Sequence, residues 1–262
     1  VCDWSSDVCS SDLRPKPTFE SLSLTGSRML RQNRSCGKMS TNAGNVTWRV
    51  AGRRRTFMLS DRGFDLWANG YDGDVQLSDE TDTYPFAGYR RVLGDIYARV
   101  REGGARRVLD VGIGTATLSK RLYDDGIEVT GIDFSSEMLA IARRKLPDAR
   151  LIQHDFSQGL PAEIAGEKFD FIICTYAIHH LTDAQKPGFI RELLSCLKPG
   201  GELLLGDVAF ATAAERDACR ADTGDAWDGD EEYIVVEQLA QAFPGIRFIR
   251  ESYCSGVCVL GA

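Results

Sequence analysis

The amino-acid sequence predicts an α/β fold, a doubly wound and mostly parallel sheet with helices on both faces, and three observations predict it. Short apolar runs alternate with amphipathic segments from Arg106 onward, the order that builds a parallel sheet. The first run, in "VLDVGIGTATLSKRL" (Val108 to Leu122), enters a Gly-x-Gly turn and leaves as a helix. The last two runs, "IRFIRESY" and "GVCVLGA", are close enough in sequence to pair antiparallel at the sheet edge.

The elements follow in order. "YPFAGYRRVLGDIYARVRE" places Phe86, Tyr89, Leu93, Ile96, Tyr97 and Val100 on one helical stripe. A strand over "RRVLDVG" precedes a helix from Thr117 to about Asp124. "IEVTGIDF" is the second strand, and Ser135 with Glu137 opens the next helix as cap and first-turn acid. Strands "ARLIQHDF" and "KFDFIICTY" come next, then a helix around Gln185 to Leu197. "GELLLGDVAF" follows the Lys198-Pro-Gly-Gly turn. An acidic connection then leads to a helix near Glu231 to Phe243 and the terminal strand pair.

Residues 1–57 read differently. "DWSSDVCSSDL", Asp3 to Leu13, matches the conceptual translation of a common sequencing-library adapter, so this stretch is expected to be foreign to the natural protein. The rest of the leader reads as polar, basic and without an apolar period, hence disordered, and Met58 is the expected natural start. The expected organisation is therefore a leader, 1–57, and one domain, 58–262, without internal repeats.

Composition narrows the function. The leader carries ten Lys/Arg against four Asp/Glu, which leaves 21 against 34 in the domain. An acidic body is a poor partner for nucleic acid, whose binding needs a basic face, so a small molecule is expected instead. No apolar stretch approaches the ~20 residues that span a bilayer, and no signal-peptide layout is present. The expected location is the cytoplasm, with no membrane partner. Cys254 and Cys258 could pair on a metal, but with no second pair and no nearby His they read as core residues. No metal site is expected.

The glycine turn decides the ligand. Three predicted strands end in an acid: Asp110, Asp133 in "GIDFS" and Asp155 in "QHDFS". Asp133 lies 19 residues after Gly114, the spacing at which a carboxylate can hold both ribose hydroxyls. A dinucleotide would bring phosphates against Asp110 at ~1–4 kcal/mol per close like-charge pair. Thr117 also stands where the dinucleotide fingerprint has its third glycine. S-adenosylmethionine carries no phosphate. Its cationic sulfonium and ammonium suit Asp110, its ribose Asp133, and its adenine amino group Asp155.

"VLDVGIGTATLS", "GIDFSSEML", "HDF", "FDFIICTYAIHHL" and "LKPGGELLLGDV", in this order, make the chain resemble the class I S-adenosylmethionine-dependent methyltransferases, from about Phe64 to the C-terminus. Within them it is most similar to small bacterial members sharing "TYAIHHLTD". The resemblance implies a Rossmann-like sheet of seven strands with the last antiparallel. It implies cofactor contacts at Gly112, Asp133 and Asp155, and also at Tyr71, Asp110, Gly114, Phe134, Phe156 and Thr175. Many members have Gly where this chain has Ala116, a change expected to be tolerated if that residue already turns into the helix.

Methyl transfer from a sulfonium is a displacement that positioning and desolvation can largely drive. A base is needed only where the acceptor must lose a proton. His179, His180, Tyr176 and Asp207 are the candidates, and either histidine could equally brace its loop. Tyr176 and Asp207 stand on the same rim. The Pro-Pro-Tyr tetrapeptide of amide and adenine N-methyltransferases is absent from Cys174-Thr175-Tyr176-Ala177. That absence removes one substrate class and names no other; the acidic body makes a small molecule the expected acceptor. The alternatives are a nicotinamide-dependent oxidoreductase and a module that binds the cofactor without turnover.

Overall fold

The structure, a computed structural model, describes residues 82–261 and the backbone of three earlier strands. Those are β1 (Lys38–Asn42), β2 (Asn45–Val50) and β3 (Arg53–Met58), paired antiparallel in the order β1-β2-β3. The leader was expected to carry no apolar period, yet Val46, Trp48 and Val50 alternate with polar residues, which is the period of a strand. The expected boundary at Met58 falls on the last residue of β3. The adapter-like stretch and Tyr71 lie outside the described residues.

The main sheet is built from β4 (Arg107–Val111), β5 (Glu128–Asp133), β6 (Arg150–Gln153), β7 (Phe169–Thr175), β8 (Leu197–Phe210), β10 (Arg247–Arg250) and β11 (Ser255–Gly261). Their order is β10-β11-β8-β7-β4-β5-β6, and the five from β8 to β6 run parallel. β11 is antiparallel to both neighbours, so it inserts beside β8 and leaves β10 at the edge. The seven-stranded, doubly wound α/β sheet expected of the sequence is present. A two-residue strand, β9 (Ile234–Val235), adds an eighth by pairing with Ala209 and Phe210 at the end of β8.

The central strands are apolar on both faces, apart from placed groups such as Asp110 and Asp207, because both faces are covered. Val108, Phe171, Ile173, Leu204, Val257 and Val259 point into one layer; Leu109, Ile172, Cys174, Leu203, Leu205 and Leu260 point into the other. The first layer holds α1 (Tyr89–Glu102), α2 (Thr117–Asp124) and α3 (Ser136–Lys145), through Val92, Ile96, Leu122 and Leu139 among others. The second holds α4 (Lys186–Ser195) and α6 (Val236–Ala242), through Phe189, Ile190, Leu193 and Leu239. Cys254 and Cys258 fall in opposite layers, which rules out a shared metal or disulfide and makes both core residues.

Two elements differ from the sequence reading. The acidic connection contains α5 (Ala213–Thr223), capped by Thr212, whose Oγ1 accepts the Glu215 N–H at 3.2 Å. Its sparse burial, Cys219 alone among its residues, is why no apolar stripe announces it. The helix expected from Glu231 begins at Val236 instead, because Ile234 and Val235 are drawn into the sheet as β9.

Helix α1 docks over β8 at Gly206. A Cβ there would sit 2.6 Å from Val92 Cγ1 and 2.7 Å from Ile96 Cδ1, so the glycine in "LLLGDV" sets the depth of the helix. Gly206→Ala should lower stability by ~1–3 kcal/mol through overpacking. Chemical denaturation would register this, and an unchanged midpoint would show that α1 can yield.

Candidate active site

The glycine turn after β4 is shaped by left-handed residues. Gly112 has φ 74° and Gly114 φ 53°, both regions open to glycine at little cost. The N–H groups of Gly112 and Ile113 both donate to the Ile132 carbonyl, at 2.8 and 3.0 Å, tying the turn to β5. Gly112 is required a second time by packing, since a Cβ there would lie 2.4 Å from Ala177 Cβ. Ala116 does not turn into the helix as expected. It is the residue before α2 and is itself left-handed, φ 62° and ψ 36°.

The three acids sit at different depths. Asp110 lies within β4 and is buried; its Oδ2 accepts the Ser119 hydroxyl at 2.6 Å, while its Oδ1 has no hydrogen-bond partner among the described residues. Burial pushes its pKa up to about 7, the Ser119 bond opposing and the Asp133 charge adding to the shift. Asp133 ends β5 and is nearly buried. Its Oδ2 accepts the Gly114 N–H at 2.8 Å and its Oδ1 the Ser135 N–H at 2.9 Å. Asp155 stands beyond β6, exposed, and caps a short 3₁₀ turn by accepting the Ser157 N–H at 2.9 Å. Phe134 is half-buried beside this acid row, and its carbonyl accepts the Gln153 side chain at 3.0 Å. Phe156 turns inward and stacks on Phe189, 5.5 Å between ring centres.

The other side of the cleft comes from the ends of β7 and β8. Thr175 closes β7 opposite Gly206, and Tyr176 follows with φ 49°, a strained value for a bulky side chain. Its ring is buried against Phe86 and Tyr89, at 5.3 and 5.0 Å. A 3₁₀ turn over Ile178–His180 then aims His179 inward and leaves His180 exposed, their rings 4.3 Å apart. Asp207, fully buried, accepts His179 Nδ1–H and the Val208 N–H, both at 2.7 Å, on one oxygen.

Glu231 faces the other nitrogen of His179 at 3.6 Å and accepts the Tyr233 hydroxyl at 2.7 Å. Burial alone would lower the His179 pKa, but the charges of Asp207 and Glu231 and the Asp207 hydrogen bond outweigh it, and the pKa stands at about 9. At neutral pH His179 is therefore an imidazolium, already holding the proton that a general base would have to take. Its environment favours the bracing role.

Sequence reasoning missed the groups that hold this side together. Lys186, buried at the start of α4, donates to the Glu232 carbonyl at 2.6 Å and to Asp183 at 2.8 Å, fastening residues 224–235 to the histidine turn. Tyr84 stacks on Trp227 at 5.1 Å and hydrogen-bonds the Tyr233 hydroxyl. The aromatic spacing of "AWDGDEEYIV" was the available signal, but its partners are distant in sequence.

A buried carboxylate stands beside a Gly-x-Gly turn at the carboxyl ends of parallel strands, where doubly wound sheets bind their ligands. The family profile described as "Methyltransferase domain" matches residues 108–201. An uncharacterised methyltransferase of Geobacillus kaustophilus is 38% identical over 148 residues, 56% of this chain and 66% of that one. Another, from Oceanobacillus iheyensis, is 31% identical over 192 residues, 71% of this chain and 87% of its own. In fold the chain is similar to magnesium protoporphyrin IX methyltransferase from Synechocystis, solved with bound S-adenosylhomocysteine: TM-score 0.55, 18% identity, 77% of this chain and 99% of that one. The chain belongs to the class I S-adenosylmethionine-dependent methyltransferases.

Ala116 offers a direct test of the turn. Left-handed geometry costs an L-residue ~1–2 kcal/mol, and glycine gives back ~0.4–1 kcal/mol in backbone entropy. Ala116→Gly should therefore raise stability by roughly 0.5–1 kcal/mol. A lower melting temperature would mean that the buried methyl matters more than the strain.

Proposed function

We propose that this protein transfers the methyl group of S-adenosylmethionine to a small-molecule acceptor. The observation that carries the reading is Asp110, a buried carboxylate with one oxygen unpartnered among the described residues, beside a left-handed glycine turn. Such a group repels a dinucleotide and suits a nucleoside with a cationic tail, which sets aside the nicotinamide alternative. Bound there, S-adenosylmethionine supplies a methyl group already activated on a sulfonium.

In this reading Gly112 and Gly114 let the backbone approach the cofactor, and Asp110 takes its cationic end. Asp133 takes the ribose, its carboxylate held in direction at the end of β5 by the Gly114 and Ser135 N–H groups. Asp155, exposed and fixed by its own cap, takes the adenine amino group. Phe134 and Thr175 line the same site, and Phe156 acts from beneath as the support of the turn; the family resemblance alone assigns Tyr71, outside the described residues, to the methionine end. Acceleration comes from positioning, because the charged His179 holds the loop rather than removing a proton. The acidic domain, 34 Asp/Glu against 21 Lys/Arg, supports a small molecule over nucleic acid as acceptor.

Turnover of a labelled methyl donor against a panel of small hydroxy, amino and thiol acceptors tests the proposal. Cofactor binding without turnover on any acceptor would favour the binding-module alternative.

Asp133→Asn should weaken binding of S-adenosylmethionine and S-adenosylhomocysteine by about 1.5–3 kcal/mol, the range for hydrogen bonds to a charged group. It should also lower the melting temperature, since the carboxylate holds two backbone N–H groups of the turn. Isothermal titration and melting curves measure both, and unchanged affinity would remove Asp133 from the site.

Asp110 predicts a pH dependence with a definite sign. Its folded pKa, about 7, is raised above the unfolded value near ~3.9, so the group's contribution to stability falls as pH rises across that window. A cationic ligand favours the carboxylate, so affinity for S-adenosylmethionine should rise with pH up to about 7 and level off above it. Asp110→Asn should flatten that rise. Adenosine, without the charged tail, should show none in either protein.

A further inference from the structure

Beside the glycine turn, three potential metal ligands from distant parts of the chain converge. The ring nitrogens of His179 and His180 and a carboxylate oxygen of Glu231 all lie within 4.8 Å of one another. We propose that His179, His180 and Glu231 form a divalent-cation site at the acceptor side of the cleft. Two imidazoles and one carboxylate are a donor set suited to zinc and to other first-row divalent ions.

The contact between His179 and Glu231 is the first support. Their facing atoms, Nε2 and Oε1, stand 3.6 Å apart, too far for a good hydrogen bond. Two ligands on a tetrahedral zinc at ~2.0–2.1 Å lie about 3.4 Å apart. The pair is therefore spaced for an ion between them. His180 is exposed, and its ring centre stands 4.3 Å from that of His179.

The surrounding bonds are the second support. A metal-bound histidine usually donates its other ring N–H to a carboxylate, which fixes the ring and directs the lone pair. Asp207 does this for His179 at 2.7 Å, from a fully buried position. Tyr233 does the equivalent for Glu231, donating to the oxygen that faces away from His179. Asp228 adds negative charge close by, and Lys186, the one cation acting on His179 among the described residues, is committed to Asp183 and the Glu232 carbonyl.

Three protein ligands leave a fourth position open. Both histidines stand on the turn that follows Ala177, and a Cβ on Gly112 of the glycine turn would meet Ala177. A cation there would hold the acceptor through an oxygen atom. This last step rests on the methyl-transfer reading; the site itself does not.

The test uses the full chain, stripped with a chelator and titrated with Zn²⁺, and separately with Co²⁺ as a spectroscopic substitute. One equivalent should bind saturably, and the Co²⁺ spectrum should lack the near-ultraviolet band of a thiolate ligand. Glu231→Gln and His180→Gln, both at accessible positions, should each weaken Zn²⁺ binding by roughly 10–100-fold. Circular dichroism and S-adenosylhomocysteine affinity should stay as in the parent, which separates loss of the ion site from loss of the fold or of the cofactor site. Absence of saturable binding at millimolar Zn²⁺, a thiolate band, or parent-like affinity in both variants would overturn the proposal. Failure to bind S-adenosylhomocysteine would instead defeat the methyl-transfer reading and leave the ion titration to stand alone.

Discussion

Between Gly112 and Ala177 there is no space for a second methyl group, and this contact joins the two sides of the cleft. On one side the chain leaves β4 and must reverse within a few residues to start α2. On the other it leaves β7 and must turn His179 back toward β8. Both reversals use left-handed residues, Gly112 and Gly114 in one and Tyr176 in the other. The hydrogen bonds from Gly112 and Ile113 to Ile132 hold the first turn down, and the Tyr176 N–H bond to the Gly206 carbonyl holds the second. A side chain at position 112 would push these turns apart and separate Asp110 and Asp133 from the histidine turn.

The sheet divides the charged groups between its two layers. Asp110 shares the parity of Val108 and so faces α2, where Ser119 meets it. Asp207 shares the parity of Leu205 and Ala209, and faces the layer of α4 and α6. Two buried acids on neighbouring parts of one sheet would repel each other strongly if they shared a layer. Placed on opposite faces, each meets its own partner, a hydroxyl for one and an imidazolium for the other.

Much of this was legible in the sequence because it depends on local signals. Strands buried on both faces read as continuous apolar runs, Ser135 caps α3 as its position demanded, and the Gly-x-Gly turn lies where the first strand ends. The parts that were not legible depend on contacts between distant residues. Glu231 stands in a stretch that reads as a solvated acidic loop, and contacts between distant residues bring it to His179: the fastening by Lys186, the Glu232 N–H on the His179 carbonyl and the pairing of Ile234 with Ala209. The strand–turn pattern of β1 to β3 was present in the alternation of Val46, Trp48 and Val50, but the basic composition around it obscured the period. Ala116 misled for a different reason. Alanine is a good helix former, and nothing local shows that the turn needs a left-handed residue there.

The histidine pair shows why residue type alone could not assign a role. An imidazole near its ordinary pKa is a natural base at neutral pH, and "HHL" after a buried strand invites that assignment. The fold places His179 between two carboxylates, and their field outweighs the cost of burial. The same field that keeps a proton on the ring would attract a divalent cation in the proton's place, since both are positive charges seeking the Nε2 lone pair. Base catalysis needs the opposite environment, one that leaves the ring neutral and ready to accept. The two carboxylates therefore argue for a site that holds positive charge at the end of β7, whether as an imidazolium or as a metal ion.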